Sequence, residues 1–257
     1  MLQPLEPGTV VLVGGGPGDP DLITVGGLRA IQQADVIIYD RLAPLEVLDE
    51  ARPDAEKVDV GKIPRGPQTS QDDINAMLIE HALAGKKVVR FKGGDNFLFG
   101  RGGEEALECA AAGVPVRLIP GVSSSIAAPA LAGIPVTHRG LAQGVTIVSG
   151  HVPPGDPRSS LNWRAMATTG TTLVILMGVK YLPEIVAELL GAGLDDRTPA
   201  AIVMNAGSDQ MRTLRAPVSE LAGLAVRAGV TPPAITIIGA VAELELAQAV
   251  QVDEAQN

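Results

Sequence analysis

The chain is punctuated by short β-branched runs that stop at glycines and then an acid. Val10-Val11-Leu12-Val13 runs into Gly14-Gly15-Gly16-Pro17-Gly18-Asp19, and Val88-Val89-Arg90-Phe91-Lys92 runs into Gly93-Gly94-Asp95. A buried parallel strand ends this way when it delivers bare backbone and one carboxylate to a ligand at its carboxyl end. The pattern predicts an α/β protein with a small polar ligand, an enzyme rather than a scaffold. Aromatic residues make up only 2% of the chain, so Val, Ile, Leu and Ala must fill its core. That diet suits parallel sheets covered by helices.

The standard nucleotide fingerprints fail. A dinucleotide turn needs G-x-G-x-x-G, but the sixth position is Asp19 counted from Gly14 and Asp21 counted from Gly16. A P-loop needs Gly-Lys followed by Ser or Thr, whereas Gly61-Lys62 precedes Ile63 and Gly85-Lys86 precedes Lys87. Asp19 and Asp95 would repel a phosphate unless a metal intervened. An acid beside an open glycine turn suits hydroxyls, amines or a cationic ligand.

The longest apolar run, Thr172 to Val179, is too short to span a bilayer, and the N-terminus lacks the flanks of a signal peptide. A cytoplasmic protein is expected. One cysteine, Cys109, excludes internal disulfides and Cys-based clusters, and it is read as an inert residue on an amphipathic helix. His81, His138 and His151 lack H-E-x-x-H spacing, so no metal site is expected. A net charge of −9 argues against nucleic acid. Arg41, Lys62, Arg65, Lys92 and Arg101 nevertheless crowd the glycine motifs, which fits an acidic small substrate or merely scattered surface bases.

Strand and helix patterns alternate from end to end. Strands are predicted at Val10–Val13, Val36–Tyr39, Val58–Val60, Val88–Phe91, Val116–Ile119, Val145–Ser149, Leu173–Leu176, Ala201–Met204 and Ile235–Ile238. The clearest helix is Asp72–Ala84, capped by Ser70 or Thr69 and closed by Gly85; others fit near Leu182–Leu190 and Val218–Ala228. Pro120-Gly121 breaks the chain near its middle, before a helix that starts at the serines 123–125 and runs to Ala132. Two α/β domains are expected, residues 1–120 and 121–257. Successive strand exits offer Asp40-Arg41, Gly61-Lys62, Gly93-Gly94-Asp95, Gly121, Met177-Gly178 and Asn205-Ala206-Gly207, which points to a shared cleft.

At this point the chain resembles the tetrapyrrole methylases. The resemblance runs from about Val10 to Gly239 and rests on long motifs in order: Val13 to Thr24, Tyr39-Asp40-Arg41-Leu42, Val60-Gly61-Lys62, VVRFKGGDNFLFGRGGEE from Val88, PGVSSSIAAPALAGIPVTHR from Pro120, Leu176-Met177-Gly178, Asn205-Ala206-Gly207-Ser208 and Pro233-Ala234-Ile235. It implies the class III methyltransferase architecture: two α/β domains with mostly parallel or mixed sheets and S-adenosylmethionine in the cleft between them. The implied reaction methylates uroporphyrinogen III at C2 and C7, giving precorrin-2 and S-adenosylhomocysteine and feeding sirohaem and cobalamin synthesis. A homodimer is implied too. No metal or covalent nucleophile is needed, because a sulfonium methyl is already activated.

The resemblance carries roles to individual positions. Pro17, Gly93, Gly94, Asp95, Leu98, Ser123, Ser124, Met177, Ala206 and Ala234 match cofactor contacts. Asp40 matches a proton acceptor and Lys62 a proton donor. Arg41, Arg101, His138 and Arg139, with Lys62, are partners by charge for the substrate's carboxylates, and His151 is a weaker one. Each position has a plainer reading: Pro17 as a rigid turn, Asp95 as a turn and helix start, the serines as a helix cap, Met177 as core filler, Asp40 as a salt bridge to Arg41.

One departure stands out. The family's Gly-Gly-Asp-Pro is here Gly93-Gly94-Asp95-Asn96, and the asparagine is expected to add flexibility and a donor. The chain starts within ten residues of its first strand, so methylation alone is expected, without the dehydrogenase/chelatase module of sirohaem synthases. The rival readings are a later precorrin methyltransferase and a non-catalytic protein that senses a tetrapyrrole or S-adenosylmethionine.

Overall fold

The computed structural model describes residues 4–61, 69–244 and 246. The chain divides into two compact units, residues 1–124 and 125–257, each with its own sheet.

In the first unit five strands form a wholly parallel sheet in the order β3-β2-β4-β1-β5. They are β1 (Val10–Gly14), β2 (Val36–Tyr39), β3 (Glu56–Asp59), β4 (Val88–Lys92) and β5 (Val116–Ile119), with α1 (Val25–Ile31), α2 (Gln71–Leu83) and α3 (Gly102–Ala111) as crossovers. Alternation decides which side chain meets which layer. Val11, Val13, Ile37, Val89 and Phe91 pack with α1, while Val10, Leu12, Val36, Ile38 and Val88 pack with Leu78 of α2 and Cys109 of α3. Ser70 caps α2 in a reciprocal box with Asp73, satisfying amides that the first turn leaves free.

The second unit carries β6 (Val145–Ser149), β7 (Thr172–Leu176), β8 (Pro199–Met204), β9 (Arg212–Pro217) and β10 (Ala234–Ile238), in the order β6-β7-β10-β8-β9. Strands β6 and β7 are parallel, but β10 runs antiparallel to both β7 and β8, and β9 antiparallel to β8. This sheet is therefore mixed. Helices α4 (Ser124–Leu131), α5 (Trp163–Met166), α6 (Leu182–Gly191) and α7 (Val218–Arg227) complete the order. Leu173, Ile175 and Ile202 pack on α6 and α7, whereas Val174, Val203 and Ile237 face the opposite layer with Ala128 of α4.

Two strands depart from expectation. Strand β3 covers Glu56–Asp59 rather than Val58–Val60, with the Val60 amide still bonding Tyr39 O at 2.9 Å. Strand β9 was not foreseen. It is an edge strand with two arginines and a terminal proline, and none of its residues is buried, so it lacks the apolar signal by which strands are recognised.

Candidate functional site at the strand exits

In the first sheet the chain leaving β1 turns toward β2, while the chain leaving β4 goes on by way of α3 to β5 on the far side of β1. The two exits cross, which is where an open α/β sheet binds ligands. Three glycines make the crossing possible. A Cβ on Gly14 or Gly121 would strike the other's backbone and the Gly94 carbonyl, and one on Gly93 would strike the Leu42 carbonyl. Gly94 has φ of +67°, and it exchanges backbone hydrogen bonds with Gly16 in both directions. Pro17 follows, half-buried. Asp19, read as facing a ligand, caps the next short turn by accepting from the Asp21 amide at 2.8 Å.

Asp95 builds this edge from within. Its Oδ1 accepts from the Phe97 and Leu98 amides at 2.9 and 3.2 Å, and Oδ2 accepts from the Gly121 amide at 3.1 Å. The carboxylate thus ties the exit of β4 to the exit of β5. Asn96 corrects the expectation of added flexibility. It is 0% exposed, and Nδ2 donates to Ile119 O at 3.1 Å. Ser124 Oγ lies near Gly94, and Ser123 is half-buried beside it.

Asp40 sits just beyond β2. Its Oδ2 accepts from Arg90 Nη2 at 2.8 Å, while Oδ1 is buried with no hydrogen-bond partner among the described residues. Arg90 in turn donates through Nε to Glu105 Oε1 at 3.0 Å, and Lys92 Nζ reaches the same oxygen at 2.8 Å. Strand parity explains the grouping: Val36, Ile38 and Asp40 share a face with Val88, Arg90 and Lys92, the face that α3 covers. Burial, and next the charge of Arg90, push the Lys92 ammonium below its usual range. Lys92 is therefore a buried member of this cluster, which corrects its reading as an available base beside the glycines.

Lys62 and Arg65 fall outside the described residues. Arg41 is exposed next to Asp40. Arg101, at the start of α3, grips Glu104 with Nε at 2.9 Å and Nη2 at 2.6 Å. In the second unit the carboxyl ends of β7 and β8 and the start of antiparallel β10 share one edge. That edge gathers Met177, Ala206 and Ala234. Met177 is 49% exposed at φ of +56°, an apolar side chain held outward by a backbone that L-residues seldom adopt. His151 accompanies them at the exit of β6, its Nδ1 2.7 Å from Ser149 Oγ. His138 and Arg139 are exposed on the turn where His138 bridges Ala142. The cluster around Arg90 and Glu105 was missed by the sequence reading, although polar residues at alternate positions of a buried strand were its visible sign.

Among the described residues no group of three or more His, Cys, Asp or Glu is placed to hold a metal ion, and no helix is long and apolar enough to cross a membrane.

A parallel sheet with bare backbone at crossed exits, and a mixed sheet presenting Met and Ala at its own exits, define an α/β protein built to hold a small ligand at strand ends. The chain belongs to the tetrapyrrole methylases: residues 9–222 match the family described as Tetrapyrrole (Corrin/Porphyrin) Methylases. It is 44% identical to a uroporphyrinogen-III C-methyltransferase of Bacillus subtilis over 90% of either chain. A siroheme synthase of Chromobacterium violaceum is 45% identical over 92% of this chain, which spans 50% of that longer protein. The crystal structure of a uroporphyrin-III C-methyl transferase from Thermus thermophilus, complexed with S-adenosylhomocysteine, is similar with a TM-score of 0.77 and 42% identity, covering 91% of this chain and 93% of that one.

Proposed function

We propose that the chain transfers methyl groups from S-adenosylmethionine to C2 and C7 of uroporphyrinogen III, giving precorrin-2 and S-adenosylhomocysteine. The observation that carries this reading is the near full-length similarity to the Bacillus enzyme of that name. The glycine crossing, the Asp40 carboxylate and the Met177 edge are consistent with it.

In each transfer a carbon–sulfur bond breaks, a carbon–carbon bond forms and a proton leaves the macrocycle. Bound S-adenosylmethionine supplies the activated methyl group; the protein must orient the pyrrole carbon and take the proton. Asp40 is the acceptor in this proposal. Arg90 donates to Oδ2 and holds the carboxylate, whose side chain is 30% exposed, in place. Lys62 is the proposed donor. Pro17, Gly93, Gly94, Asp95, Leu98, Ser123, Ser124, Met177, Ala206 and Ala234 are assigned to the methyl donor. Arg41, Arg101, His138 and Arg139 are assigned to substrate carboxylates, with Arg101 required to exchange its exposed Glu104 pair for the substrate. The product would feed sirohaem and cobalamin synthesis. A cytoplasmic homodimer belongs to the same reading.

Mass spectrometry of anaerobic uroporphyrinogen III incubated with the protein and S-adenosylmethionine tests the proposal. Two added methyl groups are expected. Retained S-adenosylmethionine binding without transfer would move the substrate to a later precorrin. Asp40→Asn is expected to abolish transfer while sparing cofactor binding.

A further inference from the structure

Proton transfer at Asp40 leaves Glu105 unexplained. This carboxylate is 0% exposed, and Oε1 accepts from three donors: Arg90 Nε at 3.0 Å, Lys92 Nζ at 2.8 Å and Gln71 Nε2 at 3.2 Å. An ionised group withdrawn from water this completely is costly unless its partners compensate it. Two cations and a side-chain amide do so here. The second oxygen, Oε2, has no partner among the described residues. The charge is thus concentrated on the oxygen that touches Arg90.

Arg90 is a planar fork with fixed edges. Its Nη1 donates to the carbonyls of Ile38 and Phe91, both at 3.3 Å, and Nη2 donates to Asp40. These carbonyl contacts are long. Apart from the 2.8 Å bond to Asp40 itself, the Nε bond to fully buried Glu105 at 3.0 Å is the charge-assisted contact of the fork, so Glu105 anchors the guanidinium on the side away from Asp40. We infer that Glu105 is a positioning residue for Asp40: by clamping the Nε edge of Arg90 it aims Nη2 at Asp40 Oδ2 and fixes the orientation of the carboxylate. Lys92 supplies the second positive charge, so Asp40, Arg90, Lys92 and Glu105 balance. The inference rests on the proposed proton-acceptor role of Asp40.

The charged groups around this cluster are Asp40 and its exposed neighbour Arg41 beyond β2, Arg90 and Lys92 on β4, and Glu105 on α3, whose charge also bears on Arg101 and Cys109 of the same helix. Loss of the Glu105 charge alone, with Arg90 still in place, removes a negative charge and would move the acid limb of kcat/KM to lower pH. Releasing Arg90 from its clamp takes the cation away from Asp40 and would move that limb to higher pH. The direction of change separates a positioning residue from a distant charge.

The test is Glu105→Gln, which keeps the shape and removes the charge. At saturating S-adenosylmethionine we expect turnover of uroporphyrinogen III to fall about 10- to 100-fold. The KM for S-adenosylmethionine should hold within about 2-fold, and the acid limb of kcat/KM should move to higher pH. Wild-type turnover, or an acid limb that stays or moves to lower pH, would overturn the inference. If Glu105→Gln does not fold, the double variant Glu105→Gln with Lys92→Met keeps the charge balance. We expect it to remain impaired; full turnover would show that Glu105 merely neutralises Lys92, and the inference would fall. Asp40→Asn is measured alongside. Should it retain turnover, the proton role of Asp40 fails; should it lose turnover while Glu105→Gln does not, only the role of Glu105 fails.

Discussion

Arg90 Nη2 donates to Asp40 Oδ2 at 2.8 Å from a side chain only 3% exposed, joining positions 50 residues apart. The guanidinium serves two carboxylates and two carbonyls at once, and no other side chain has that geometry. Arg90→Met leaves Asp40 and Glu105 facing one buried cation, Lys92. Breaking a buried set this way costs about 3–5 kcal/mol, to be read from urea denaturation. Arg90→Lys keeps the charge but reaches one partner, so a smaller loss of stability and a clear loss of turnover are expected. A neutral result for Arg90→Met would show the network to be dispensable.

Asn96 joins the end of β5 to the start of α3: its side-chain Nδ2 donates to Ile119 O, and its backbone carbonyl accepts from the Gly102 amide at 3.0 Å. Asn96→Asp places a carboxylate in a site with no exposure and, when ionised, removes the donor. A destabilisation of about 2 kcal/mol or more at pH 8 is expected. Burial raises the folded-state pKa of such an acid above its unfolded value. The variant is therefore closest to wild type below about pH 4, and it loses stability as pH rises through the folded pKa. Chemical denaturation at pH 4 and pH 8 measures this; an equal penalty at both would contradict it.

Gly121→Ala and Gly103→Ala should have opposite signs. The first puts a methyl group into the backbone of Gly14 and Gly94, which cannot move without parting the strand exits. Loss of about 3 kcal/mol or more, or failure to fold, is expected. Gly103 lies in α3 with nothing within 4 Å of its added Cβ. Alanine there should stabilise by about 0.5–1 kcal/mol, measured as a raised melting temperature.

Cys109 is fully buried in α3, and its thiol is pushed up to about 11 by burial, with Glu105 and Glu108 adding to the effect. The thiolate is the nucleophile, so native protein at pH 7.5 should resist iodoacetamide and react in urea, as intact mass would show. A raised pKa contributes stability that is present below the unfolded value near 9 and lost as pH climbs through about 11. Stability should decline across that window, and less so in Cys109→Ala.

The sequence was most readable where local chemistry and tertiary structure agree. Strands such as Val36–Tyr39 and Val145–Ser149 are apolar runs with clear punctuation, and Ser70 declares its helix by the acid three residues on. The family was legible because its motifs are long. Less visible was anything that depends on which strands lie side by side. Nothing local tells that β10 runs backward, so Ala234 stands at a strand start rather than an exit. Arg90 and Lys92 read as ordinary bases until β2 and α3 bring Asp40 and Glu105 to them. Asp95 matched a ligand contact by motif, but only the fold reveals the Gly121 amide on its second oxygen.

The alternation that gathers Asp40, Arg90 and Lys92 on one face has a consequence for folding itself. Sliding β4 by one residue between β2 and β1 would preserve most of the backbone ladder, and apolar content alone would hardly object, since both layers are lined with Val, Ile and Leu. What forbids it is that Arg90 and Lys92 would then point into the oily layer around Val11 and Ile37, away from every counter-charge. The polar cluster acts as a key cut into an otherwise featureless strand, and a misthreaded sheet would not turn the lock.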